Sequence, residues 1–191
     1  MPFRTFFAAI GYVATAAALV AAVLVFTMFR GFSDRAGAVY WDMARILART
    51  GDPAEATVWK RLVASGLSFA EVDQSIRSLA ADRNLRDVGQ LPLGEQVAAM
   101  QGKDWRSLQV YLFCNPLTAA RMVEYSPAFA AYLPCRISLV EDGDGQLWLI
   151  TMNMDLMLYG GRPLPDELRG EAEGVRAAML AVMDGAAEGA F

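Results

Sequence analysis

Hydrophobic and polar positions divide this chain into two unlike parts. From Thr5 to Phe29, roughly 25 residues run without a charge between Arg4 and Arg30, enough to cross the roughly 30 Å hydrocarbon core of a bilayer as a tilted helix. The pattern predicts a single-pass transmembrane anchor over residues 1–30. Gly11, Thr15 and the alanines of this block either face membrane lipid or let a helix of a membrane-complex partner approach closely. Ala36-Gly37-Ala38 has the look of a signal-cleavage site, but signal apolar cores span only about 7–15 residues, which favours an uncleaved anchor. The flanking charges nearly balance, with Arg4 on one side and Arg30, Arg35, Arg45 and Arg49 on the other. A short amino-terminal head stays in the cytoplasm by default, so the expectation is a bacterial inner-membrane protein with its soluble part in the periplasm.

Beyond the anchor the periodicity changes. Val39, Tyr40, Met43, Ile46 and Leu47 recur at helical spacing within Ala36–Thr50, and Gly51-Asp52-Pro53 ends that segment. Residues 31–55 thus form a juxtamembrane amphipathic helix and linker, whose stripe either meets the headgroups through Tyr40 and Trp41 or packs on the following domain. Residues 56–191 form the globular domain. Thr57–Ala64 predicts a strand, Ser68 with Glu71 a capping box opening a helix to Asn84, and Arg86–Leu93 a short strand broken by Gly89 and Pro92. Gln96–Met100 predicts a short helix. The apolar run Leu108–Phe113 predicts the sheet's central strand, buried on both faces, and Leu117–Tyr125 a helix after Asn115-Pro116. Arg136–Val140 and Leu147–Thr151 flank Glu141-Asp142-Gly143-Asp144-Gly145 and predict a hairpin. Pro165–Met183 predicts a helix burying Leu168, Val175, Met179, Leu180 and Met183. The fold class is α+β, a small, mainly antiparallel sheet with helices packed on one face.

Charge and composition narrow the chemistry. A net charge of -4 without a basic stripe argues against nucleic acid. Histidine is absent, which removes the usual zinc and haem ligand and the commonest general base at neutral pH. No catalytic constellation, metal centre or cofactor motif is evident, so none is expected.

Two cysteines remain, Cys114 at the end of one predicted strand and Cys135 at the start of another, flanked by Asn115 and Arg136. Three readings stay open for them: buried apolar residues, a structural disulfide in an oxidising compartment, or a thiol site for redox work, a sulfur species or a soft metal. Glu141, Asp142 and Asp144 form too short a loop for an EF-hand cage and read as a solvated turn. Met152, Met154 and Met157 could supply copper thioethers but read as core, and Tyr159-Gly160-Gly161 reads as a turn.

Tyr111-Leu112-Phe113-Cys114-Asn115-Pro116, then Tyr132-Leu133-Pro134-Cys135-Arg136-Ile137, then Glu141-Asp142 with Gly145 and Trp148 resemble the pattern of domain-of-unknown-function family 302, over roughly Thr57 to Phe191. The resemblance implies a small α+β fold, often a homodimer, in bacterial proteins that sometimes accompany sulfur-compound metabolism. It carries over no catalytic residue. The expected function is a membrane-anchored, non-enzymatic module, either an accessory subunit of a membrane complex or a small-ligand binder. The competing expectation is a thiol-dependent redox or sulfur-handling protein using Cys114 and Cys135.

Overall fold

The structure is a computed structural model and describes residues 2–191; Met1 and the side chains of residues 2–6 and 9 lie outside what it describes. Helix α1 (Pro2–Phe29) contains the apolar window Ile10–Phe29, with mean hydropathy 2.2 and no part buried, and is long and apolar enough to cross a membrane. Helix α2 (Ala36–Thr50) follows, so the Ala36-Gly37-Ala38 segment is its first turn. Val39 and Met43 of its stripe join the domain core, whereas Trp41 is 70% exposed.

The domain runs β1 (Val58–Leu62), α3 (Phe69–Asp82), β2 (Arg86–Leu91), α4 (Leu93–Gln101), β3 (Leu108–Cys114), α5 (Pro116–Tyr125), β4 (Cys135–Glu141), β5 (Leu147–Met152), α6 (Asp155–Tyr159) and α7 (Asp166–Ala187). The five strands form one antiparallel sheet in the order β1-β5-β4-β3-β2. Two expectations are corrected here. The central strand is β4, not Leu108–Phe113, because β5 returns beside β4 and then pairs with β1 at the far edge. Nor is β3 buried on both faces: Tyr111 and Phe113 are fully buried, while Val110 and Leu112, on either side of Tyr111, keep partial exposure.

That alternation sorts the whole sheet. Tyr111, Phe113, Ile137, Leu139 and Leu149 share the buried face and form one core with α3 and α7, including Val72, Ile76, Met179, Val182 and Met183. On the other face Val110, Leu112, Val140 and Ile150 are half-buried. The capping box forms as expected: the Ser68 hydroxyl accepts from the Glu71 N–H while the Glu71 carboxylate accepts the Ser68 N–H at 2.7 Å. Helix α4 begins at Leu93, earlier than its sequence suggests. Gly94 permits this, since a Cβ there would lie 2.6 Å from the Arg106 carbonyl oxygen. Helix α7 runs past Met183 to Ala187, and the tail docks: the Ser75 hydroxyl donates to the Ala190 carbonyl and the Ala64 N–H to that of Ala187.

Candidate functional site

The sheet has two chemically different ends, and the segment that follows α1 docks at one of them. Cys114, Cys135, Met152 and Val58 end or begin their strands at one side, while the β4–β5 turn and Leu108 lie at the other. Helix α2 packs against the turn before β1 and against α6, both at the cysteine end. Two hydrogen bonds pin this junction. The Ser33 N–H donates to the Gly161 carbonyl at 2.8 Å and the Tyr40 hydroxyl to the Gly160 carbonyl at 2.7 Å. The glycine pair is therefore a docking corner, and Gly160 must be glycine because a Cβ would come within 2.5 Å of the Leu156 oxygen.

A cavity of about 40 Å³ opens at this end, enough for about three water-sized bodies. Cys114 comes from the last position of β3, Cys135 from the first of β4, opposite Phe113. Asn115 also reaches the wall, but its side-chain oxygen is engaged in capping α5, accepting the Thr118 N–H. Arg136 does not line the cavity; strand alternation turns it to the other face, where it is exposed. Three methionines absent from the sequence-based site complete the sulfur lining: Met122 from α5 and Met154 and Met157 from the start of α6 and its interior. Met154 belongs to the M-x-M-x-x-M stretch already noted, but nothing local in the sequence places it beside a cysteine. Met152 stays in β5 and does not line the cavity.

Both cysteines are free thiols. Burial pushes the Cys114 thiol up. For Cys135 burial is again the main cause, the neighbouring Cys114 adds to it, Arg136 only partly opposes it, and the thiol is pushed up to about 11. Both are therefore protonated at neutral pH. A nucleophilic cysteine needs the opposite shift. No carboxylate, lysine or arginine lines the cavity to act as acid or base.

Outside it, Phe129 and Met157 also border an open groove of about 490 Å³ whose other walls include Tyr40, Tyr125, Tyr132 and Arg162. Tyr125, Phe129 and Tyr132 form a row with ring centroids 6.3 and 6.4 Å apart. The acidic hairpin at the opposite end is self-satisfied. The Asp142 carboxylate accepts the N–H groups of Asp144 and Gln146 and the Trp148 indole N–H at 2.8 Å, which hold its pKa below the ordinary value. Among the described residues no three His, Cys, Asp or Glu side chains are grouped to hold a metal ion.

The family model "Domain of unknown function DUF302" matches residues 61–186. The chain belongs to this family. The DUF302 match begins within β1 and ends within α7, so α1 and α2 lie outside it. The DUF302 domain is also similar to the crystal structure of an uncharacterized conserved DUF302 protein from Bacillus stearothermophilus. Identity is 16%, the TM-score is 0.53, and the similarity covers 67% of this chain and 96% of that one, a likeness of fold. No curated protein matches the chain.

Proposed function

We propose that this chain is a single-pass, membrane-anchored, non-enzymatic module of the bacterial inner membrane that binds a small uncharged ligand in the Cys114–Cys135 cavity. The observation that carries the reading is positional. The segment leaving α1 docks at the same end of the sheet as the cavity mouth, through Ser33 and Tyr40 on Gly161 and Gly160. Only Arg30 to Phe32 separate α1 from Ser33, and that stretch spans about 14 Å at most even if extended. The groove therefore lies at headgroup depth, where its tyrosines and Arg162 suit the interface between apolar chains and phosphates. The apolar lining and absence of charged groups favour holding a neutral ligand over acid–base catalysis. We assign self-association to the open sheet face bearing Val110, Leu112, Val140 and Ile150.

The test reconstitutes the full chain in phosphatidylethanolamine–phosphatidylglycerol nanodiscs with a phospholipid carrying a diazirine near its headgroup. After photolysis, adducts are expected on α1 and on Tyr125–Tyr132, and several-fold fewer on the turn Asp142–Gln146. Absence of adducts on α1 would defeat the anchor. Equal labelling of the groove and the turn would defeat the orientation.

One observation favours a second reading. Both thiols border one cavity from neighbouring strands, the arrangement that a dithiol–disulfide couple requires. A loss of thiol–disulfide exchange in Cys114→Ser and Cys135→Ser, with stability kept, would support it.

A further inference from the structure

Both cysteines of the chain and three of its ten methionines converge on one small cavity, from β3, α5, β4 and α6. We propose that this cavity binds a single monovalent copper ion through the sulfur atoms of Cys114, Cys135, Met154 and Met157, with Met122 completing the wall. The proposal goes beyond the neutral-ligand reading above: it assigns the same cavity an ion whose charge a thiolate cancels.

Three physical arguments select this ion. Thiolate is a soft donor that copper(I), zinc and iron–sulfur clusters all take, and the thioethers beside it narrow the choice to copper(I). The cavity offers no imidazole or carboxylate, which borderline and hard divalent ions would use. Charge gives the second argument. When copper(I) binds, one S–H bond breaks and its proton leaves to water, one copper–thiolate bond forms, and the second thiol and the two thioethers each donate a lone pair to the ion in place of its former ligands. The metal stays monovalent throughout, so no electron moves. The ion and one thiolate sum to zero, as an apolar wall demands; a divalent ion would leave a net charge there unless both thiols ionised.

The third argument is access and adaptability. Met157 and Phe129 stand between the cavity and the open groove, which supplies a way in. Methionine has three rotatable side-chain bonds, so thioethers at the mouth can close around an ion while the cysteines stay on the sheet.

Full-length chain in detergent, fully reduced and without oxygen, would be offered copper(I) as its bicinchoninate complex, with the methionine methyl groups carbon-13 labelled. The expected result is withdrawal of one equivalent of copper from the chelator. The Met154 and Met157 methyl signals should shift while that of Met100, 89% exposed, stays in place. Cys135→Ser should abolish uptake. The double variant Met154→Leu with Met157→Leu should keep the fold, judged by its near-ultraviolet dichroism, and weaken copper binding by at least an order of magnitude. If Cys135→Ser does not fold, the methionine pair still decides. Copper left on the chelator by the native chain, or held equally well by the leucine pair, would overturn the proposal. A xenon arm separates this failure from failure of the reading beneath it. Xenon-induced shifts at Met122, Met154 and Met157, without copper uptake, would leave a neutral-ligand cavity and remove the copper site. No response to either probe would remove both.

Discussion

At the hairpin end of the sheet, Asp142 accepts hydrogen bonds from two backbone N–H groups and the Trp148 indole, and Glu141 accepts the Ser107 N–H. At the other end, Cys114 and Cys135 face a cavity walled by thioethers and alkyl groups and carry protons that burial retains. The acidic turn is the more conspicuous feature in the sequence, yet Asp142 is committed to holding the turn and Glu141 to Ser107. The sulfur end is inconspicuous and has donor capacity left over. A residue's chemical potency therefore says less about function than whether the fold has already used it.

The severest way to break this contrast is to remove the core that joins the two ends. Phe113→Ala, at a side chain with no exposure and directly opposite Cys135, is expected to lower stability by about 3–5 kcal/mol, read from urea unfolding. Both ends should melt together.

Alkaline pH sharpens the contrast by acting on the sulfur end. The Cys135 thiol, pushed up to about 11 from 9.0 by burial, favours the folded state while protonated. That contribution is complete below the unfolded value of 9.0 and is lost as pH rises through about 11. Comparing Cys135→Ala with the native chain by urea unfolding at pH 8 and pH 11 should isolate a difference of about 2–3 kcal/mol.

Acid does the reverse at the hairpin. Asp142 is held below its ordinary value of 3.8, first by the Trp148 indole, so its contribution is present above 3.8 and is lost as pH falls through the lower folded value. Asp142→Ala should flatten the acid limb of the stability profile and loosen Trp148, visible in its fluorescence, while leaving thiol reactivity at the other end unchanged. The mildest change is Met157→Leu, a volume-conserving swap expected to cost under about 1.5 kcal/mol in urea unfolding.

The features legible in the sequence are those that local chemistry determines. Ser68 and Glu71 announce a helix start three residues apart, and Gly145, at φ +77°, closes the acidic hairpin. The apolar block before Arg30 likewise forms one continuous helix. What escaped depends on distant pairing. No feature of Leu108–Phe113 tells that β4 rather than β3 lies in the middle, because the order follows from β1 joining β5 from a distant part of the chain. Of the candidate site, Cys114 and Cys135 could be found because both lie at strand ends. Arg136 misled because sequence adjacency in a strand means opposite faces. Met122 and Met154 enter from helices more than thirty residues apart, and only tertiary packing brings them to one wall.

The Gly160–Gly161 corner has a mechanical consequence. Ser33 and Tyr40 pull directly on its two carbonyls, and α6, only five residues long, joins that corner to Met154. A load applied to α1 reaches α6 and Met157 through this corner, alongside the turn before β1 against which α2 also packs. The corner acts as a lever arm whose long side is the apolar helix α1 and whose short side ends at the sulfur-lined pocket.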